Sequence, residues 1–574
     1  MRINFTLLVA LFVVTAGGLQ AQDNRFIDKI YGVSDATVDV YSTNLDVFNL
    51  QAASQGLPVN PVRDLEMDVY QPIGDEDLSL RPVVVVWPTG NFLPQYVNQG
   101  LYGTRQDSAV VTIAKELTAR GYVGITADYR VGWNPRGGQD VRTSTLLQAA
   151  YRGGQDAHAM ARYLRKTVAE DGNPYRIDTS RIVFWGLGTG GYVALTHAYL
   201  DRVEEVLADD RFYDENDQPY VIPSVHADPQ GLDEAFFPPS LGGIQSNYVN
   251  HAGYSSDVAM SVNANGALGD IDWIEGSDNE PLVIGFHSPN DIFAPFSYGD
   301  VIVPTTMDLV VGCVAGTEEV VETANENGTN DPLEAANSTS LDAGFYGDLA
   351  LAVNVQNEAY KNQTATLPPT VPVLPVCDQA QFEEGYARSR DNMYPLQSGA
   401  GLGAAYNWVD QATATARLQA FLDAGGELGD DPAASDAVKI GTVFGGEAAV
   451  NPNSVNAEGA KIVIDTMLAF FLPRAYVGMD LEDVVGTNDL LNNSQVGLEV
   501  FPNPATASGF SVKTGANFPV RSISVIDLNG RVVSTRAEVN ANAFTVNNLQ
   551  LPRGTYILRV QFDEGISSQK LIVR

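Results

Sequence analysis

Apolar residues in this chain gather in short unbroken runs, separated by stretches that read as helices. Pro82-Val-Val-Val-Val86-Trp87, Arg181-Ile-Val-Phe-Trp185 and Pro281-Leu-Val-Ile-Gly-Phe286 have the length and composition of buried strands. Tyr192–Tyr199 and Ala460–Phe471 read as helices. From Val496 the pattern changes to short alternating segments at 498–501, 510–513, 522–527 and 556–562. Turn signals part them at Pro502-Asn503-Pro504, Leu528-Asn529-Gly530 and Pro552-Arg553-Gly554. Evenly spaced short strands of this kind predict a small all-β sandwich.

The junction between one buried strand and the helix after it carries the most chemistry. Trp185-Gly186-Leu187-Gly188-Thr189-Gly190-Gly191 has the glycine spacing of a G-x-S-x-G nucleophile elbow, where a serine is held on a sharp strand-to-helix turn. Gly186 and Gly190 supply the close approach such a turn needs. Gly188 stands at the nucleophile's place, with no side chain to attack anything.

The surrounding motifs resemble the α/β-hydrolase fold, most closely its carboxylesterase and lipase-like branch. In that branch a strand leads into an H-G-G-G-F oxyanion loop, a D-Y-R element follows, and a helix precedes the elbow. This chain reads Pro88-Thr89-Gly90-Asn91-Phe92, then Asp128-Tyr129-Arg130, then Asp156-Ala-His-Ala-Met-Ala-Arg162-Tyr163-Leu164-Arg165, in the family's order. The resemblance implies an α/β class with a mostly parallel, doubly wound sheet over residues 23–480, interrupted by an insertion at about 300–440. His287-Ser-Pro-Asn-Asp291 is similar to the family's H-G-x-x-D turn and puts Asp291 at the acid position. Gly90, Asn91 and Thr189 are the oxyanion-loop equivalents. Phe92, Tyr129 and Trp133 are candidates to line an aromatic pocket, whereas Trp87, at the end of its strand, reads as core.

Hydrolysis by a Ser-His-Asp triad needs a nucleophile, a base and a carboxylate that orients the base. In this fold they follow along the chain as Ser, Asp, His. The chain has five histidines, at 158, 197, 226, 251 and 287, and none follows Asp291. Val443-Phe-Gly-Gly-Glu447, read as the segment where the histidine would fall, offers no imidazole. The oxyanion loop departs as well, with Pro88, Thr89 and Asn91 in place of histidine and two glycines. The residues therefore predict an elbow frame without its catalytic groups. No H-E-x-x-H or C-x-x-C spacing supports a metal hydrolase, and no metal or cofactor is expected.

Both ends of the chain speak of export. Arg2, the apolar run Phe5–Val14 and small residues up to Ala21-Gln22 read as a secretory signal peptide spanning 1–22. The last segment, 496–574, resembles the type A C-terminal sorting domain of the type IX secretion system of Bacteroidetes. Its marks are Phe501-Pro-Asn-Pro504, Ile526-Asp-Leu-Asn-Gly-Arg531, Gly554-Thr-Tyr-Ile-Leu558 and the basic finish Lys570-Leu-Ile-Val-Arg574. That resemblance implies the type IX machinery as partner and the outer-membrane surface or the medium as destination. Residues 481–495 form a polar linker.

Charge sharpens this picture. The chain carries a net −36, yet residues 496–574 hold 8 Lys/Arg against 5 Asp/Glu. So acidic a body argues against nucleic acid or an anionic membrane as partner, because phosphates call for clustered cations. No second run has transmembrane character. The polar stretch Thr323–Asp348 reads as a solvated insertion rather than a calcium loop. Cys313 and Cys377, the chain's two cysteines, are expected to pair in an oxidising compartment. The expectation that results is an exported pseudo-esterase that binds a small-molecule or polymer ligand, or serves as a surface module. An active carboxylesterase-type hydrolase with an unconventional site is the competing expectation.

Overall fold

The computed structural model describes residues 24–574 except 76–77, 79, 278, 304–306, 366–385, 388, 398–402, 430, 483–492, 507–508, 527–531, 537–538, 548–550 and 563–565. The expected signal peptide, most of the linker and Cys377 lie outside the described residues.

Eight strands build the central sheet: β1 (Thr37–Leu45), β2 (Val62–Tyr70), β3 (Arg81–Trp87), β4 (Val123–Ala127), β5 (Ile177–Leu187), β6 (Met260–Ala264), β7 (Leu282–His287) and β8 (Met393–Pro395). Their spatial order is β1-β2-β4-β3-β5-β6-β7-β8. Strand β2 runs antiparallel to both its neighbours and every other pairing is parallel. That order, with one reversed strand, is the α/β-hydrolase fold.

The apolar runs explain why the sheet forms where it does. All seven residues of β3 are buried, as expected of a parallel strand covered on both faces. Successive side chains point to opposite faces. Val84 and Val86 accordingly join a core with Ile113 of helix α1 (Ser108–Thr118), while Val83 and Val85 join one with Met160 and Leu164 of helix α2 (Gln139–Glu170). Helix α3 (Thr189–Tyr199) leaves the end of β5 through a single residue. Helix α4 (Thr317–Glu326) packs Val320 and Val321 beside Val283 of β7. Each such valine, fully buried, contributes about 1.5–3 kcal/mol.

The stretch 300–440, read as an insertion, contains the eighth strand of the sheet itself. Met393-Tyr-Pro395 is too short to show a strand period, so its place came from pairing with β7. The remainder holds a hairpin (298–303 with 308–316) and helices α5 (Asp348–Lys361) and α6 (Gln411–Asp423). Residues 443–447, the segment where a triad histidine would fall, lie inside helix α7 (Asp436–Val450), which precedes helix α8 (Ala457–Gly478). The polar stretch 323–348 is largely helical, with Asn330 donating to Asn325 Oδ1 at 2.8 Å.

The C-terminal region has seven strands: β9 (Glu499–Thr506), β10 (Gly509–Lys513), β11 (Ser522–Ile526), β12 (Val532–Arg536), β13 (Ala543–Asn547), β14 (Gly554–Gln561) and β15 (Ile566–Val573). They pair in the order β12-β11-β14-β15-β9-β10-β13. Strand β9 links two antiparallel groups, pairing with β10 along its first half and with β15 through Ala505 and Val573. Buried Phe510 and Val512 of one group meet Ile523, Leu558 and Val560 of the other in one core. Among the described residues no helix is long and apolar enough to cross a membrane.

Candidate functional site

The turn from β5 into α3 pivots on Gly188, at φ 53° and ψ −118°. That left-handed, strained conformation costs a residue with a Cβ roughly 1–3 kcal/mol. Its position is held by Gly188 N–H donating to Ala264 O at 2.7 Å and Gly191 N–H donating to Gly188 O at 2.8 Å. A Cβ at Gly186 would overlap the Gly190 carbonyl, and one at Gly190 would lie 2.8 Å from Pro88 O. The glycine spacing therefore reflects how tightly strand, helix and the 88–92 loop meet. The backbone of an elbow is intact.

The space a side chain at 188 would enter is already taken. A Cβ built there would overlap Thr89 Oγ1, 2.7 Å from Thr89 Cβ and 3.6 Å from the Tyr406 hydroxyl. Thr89 Oγ1 also accepts the Thr189 N–H at 3.3 Å. In an elbow enzyme the N–H after the nucleophile points at the developing oxyanion. Here a neighbouring hydroxyl engages that donor. The Thr189 hydroxyl is 2.8 Å from the Tyr129 hydroxyl, which donates to Pro88 O at 2.9 Å.

Asp291 lies in the turn after β7, buried, with the neighbours of a structural carboxylate. Its Oδ1 accepts from Phe293 N–H at 2.7 Å and Ala294 N–H at 3.2 Å, and its Oδ2 accepts from the Asn265 amide. Burial pushes its pKa up to about 6, against the pull of those donors. The His287 ring stands 4.0 Å away through Nε2. That ring is committed elsewhere, with Nε2–H directed at Ala294 O (3.2 Å) and Nδ1 paired with the Thr317 hydroxyl (2.6 Å). Burial lowers its pKa to about 4, which keeps it neutral.

The segment after β8 brings Tyr406 to the elbow. Its ring packs 5.6 Å from that of Tyr102, both are buried, and burial drives both hydroxyls well above the usual phenol range. The nearby carboxyls of Asp291 and Glu447 push Tyr406 the same way. Glu447 accepts from Ser454 Oγ at 2.9 Å, and burial raises its pKa to about 7. Sequence reasoning missed this group because Tyr406, Tyr102 and Glu447 come from three distant segments with no motif in common. The one legible signal was Thr89, a β-branched residue in a loop the family fills with glycine.

Of the other residues singled out, Gly90 approaches Gly103, whose Cα lies 3.1 Å from where a Gly90 Cβ would be. Asn91 and Phe92 are both left-handed, at φ 56° and 51°. Phe92 and Tyr129 are buried and packed edge to face at 5.8 Å. Trp133 donates its indole N–H to Arg142 O at 3.1 Å. Cys313 is disulfide-bonded. Among the described residues no group of three or more His, Cys, Asp or Glu is placed to hold a metal ion.

Residues 499–574 match the family model of the secretion system C-terminal sorting domain. Comparison with curated proteins finds no match. Among solved structures the chain is similar to Thermogutta terrifontis esterase 2 phosphorylated by paraoxon, with 18% identity, 46% of this chain and 74% of that one covered, and a TM-score of 0.25. It is similar also to the butyrate-bound esterase of that species, at 19% identity, 46% and 75% coverage and a TM-score of 0.25. The fold rests on the strand order and the elbow rather than on these scores. The sorting domain indicates export by the type IX secretion system to the cell surface or beyond, and it follows a chain whose central sheet has the α/β-hydrolase fold.

Proposed function

We infer that the protein is an exported α/β-hydrolase-fold module that performs no ester hydrolysis and acts by binding, either of a small-molecule or polymer ligand or of a surface partner. One observation carries this reading. Thr89 occupies the volume where a nucleophilic side chain at 188 would stand, and its hydroxyl engages the Thr189 N–H that would otherwise serve an oxyanion. The surroundings agree: Asp291 is bound to an asparagine amide, and the group that approaches position 188 from the segment after β8 is the Tyr406 hydroxyl, not an imidazole. The proposal includes the signal peptide at 1–22, the division of the chain at 481–495 and a Cys313–Cys377 bond. Each suits a protein that leaves the cytoplasm.

Electrophilic labelling tests it. The full chain is incubated with a fluorophosphonate, its intact mass is read, and turnover of nitrophenyl acetate is followed in parallel. No adduct and only background turnover are expected from folded protein. A stoichiometric adduct with turnover would instead establish a hydrolase with an unconventional nucleophile, which peptide mapping would locate.

A further inference from the structure

Five arginines are buried among the described residues: Arg81, Arg130, Arg152, Arg162 and Arg474. Four of them have partners. Arg81 pairs with Asp75 at 2.7 Å and Arg130 with Asp156 at 2.8 Å. Arg162 donates to Asn250 O at 3.0 Å and Gln230 O at 2.9 Å, and Arg474 to Asn337 Oδ1 at 2.6 Å. The side chain of Arg152, in the middle of α2 and 8% exposed, makes no hydrogen bond or ion pair with any described residue, and its Nε is sealed from solvent. A buried charge without a counter-ion is among the costlier things a fold can hold. The chain has 70 Asp and Glu against 34 Lys and Arg, so scarcity of carboxylates does not account for it.

The neighbouring carboxylates are committed elsewhere. Arg130 takes both Asp156 oxygens, Oδ2 through its backbone N–H at 2.7 Å and Oδ1 through its Nε. Asp46 caps the helix Val47–Ser54, accepting from the Phe48 and Asn49 N–H groups, both at 2.9 Å. The Arg152 guanidinium is instead packed against backbone and an apolar side chain. A Cβ at Gly132 would overlap Arg152 Nη2 and lie 2.6 Å from Val47 Cγ2. The tip of the side chain therefore sits where segment 130–132 meets the start of that helix, held in place and without an acceptor. Burial lowers its pKa to about 10, and the Arg130 charge acts the same way, so it stays a cation at neutral pH. His226 lies in its field: burial, and then the Arg152 charge, lower the pKa of that ring to about 4. Its Nδ1 accepts the Ile222 N–H at 2.9 Å, which leaves the proton of the neutral ring on Nε2.

We propose that Arg152 anchors a binding site for a small oxyanion, a carboxylate or phosphate group, which supplies the acceptors that the chain itself does not. A guanidinium presents N–H groups in a fork that matches two oxygens of one such group, a pairing a single chloride ion cannot reproduce. His226 reports the event, because an anion on Arg152 offsets the charge that acts on this ring. The proposal uses none of Thr89, Gly188, Asp291 or Tyr406 and stands whatever the electrophilic labelling returns.

Calorimetric titration of the full chain at neutral pH with sodium acetate and with sodium phosphate, against sodium chloride at equal ionic strength, tests it. The better of the two oxyanions should bind with a Kd of about 1–10 mM, and chloride at least about 10-fold more weakly. Which oxyanion binds better tells a carboxylate site from a phosphate site. Arg152→Met should abolish binding, and Arg152→Lys should weaken it about 5-fold, because an ammonium offers no fork. Arg162→Met removes a guanidinium that already has partners and should leave binding unchanged. Without the oxyanion, Arg152→Met should melt no lower than wild type, since it removes an unpaired buried charge. At about 100 mM oxyanion the wild type should melt about 2 °C higher and Arg152→Met should not respond. Saturation should also shift the ring-proton resonance of His226, assigned by its loss in His226→Gln. If Arg152→Met fails to fold, Arg152→Lys and the His226 resonance decide. The proposal is overturned if wild-type protein binds neither oxyanion at about 50 mM, if chloride binds as well, if folded Arg152→Met binds undiminished, or if folded Arg162→Met loses binding equally.

Discussion

Helix α3 separates two regions that the fold has treated in opposite ways. At its first turn the elbow is filled: Thr89 occupies the space above Gly188, Thr189 N–H is paired, and Asp291 has three donors. On its outer side, at Tyr192 and Thr196, space remains and the Trp273 N–H is unpaired. The motif-bearing turn is therefore filled by a side chain from another loop, while a small space is left among residues that carry no motif. A motif reports backbone geometry, which Gly186, Gly188 and Gly190 preserve. Vacancy is set by side chains arriving from elsewhere.

The comparison breaks most easily at Gly188. Gly188→Ala combines left-handed strain with overpacking against Thr89 and should cost about 3–5 kcal/mol in denaturant titrations. Adding Thr89→Gly should return the overpacking share, about 1–3 kcal/mol, and leave the strain. A harmless Gly188→Ala would mean that Thr89 does not fill the elbow. Gly188→Ser, alone or with Thr89→Gly, should give no rapid ester turnover, because no base stands beside it.

The next effect is a pH dependence. The buried Glu447 carboxyl has its pKa raised to about 7 from 4.5. Its folded form thus holds a proton that the unfolded chain has released. The associated stability is complete below pH 4.5 and is lost as pH rises through about 7. Relative to Glu447→Gln, the wild type should lose about 2–3 kcal/mol across that window. Parallel curves for the two proteins would show that Glu447 is solvated or ionised in the fold. Smallest is the effect of filling the open side: Ala150→Leu should be neutral or stabilising by about 0.5–1 kcal/mol. A loss instead would show that the space near Ala150 closes in solution.

Several elements were legible before any coordinates. The valine run 83–86 has alternate residues facing two cores, which is why it is apolar without interruption. The elbow's glycines and the C-terminal alternation behave likewise, because each expresses a local rule, of steric approach or of period, within a few residues. The eighth strand was not legible, since three residues carry no period and its place came from pairing with β7. Residues 443–447 do precede the helix 457–478, as read, and they belong to a helix of their own.

The sequence by itself determined the buried strands, the strand-to-helix turn without a nucleophile, the lack of any histidine after Asp291 and the export address at 499–574. Only the tertiary structure decided that Thr89 enters the space above Gly188, that the Tyr406 hydroxyl approaches it with the Glu447 carboxyl in electrostatic reach of that hydroxyl, and that a small cavity lies beside Trp273. The physical reason is range. Backbone conformation and burial periodicity are set over neighbouring residues, whereas occupancy of a given volume depends on side chains brought together from segments hundreds of residues apart.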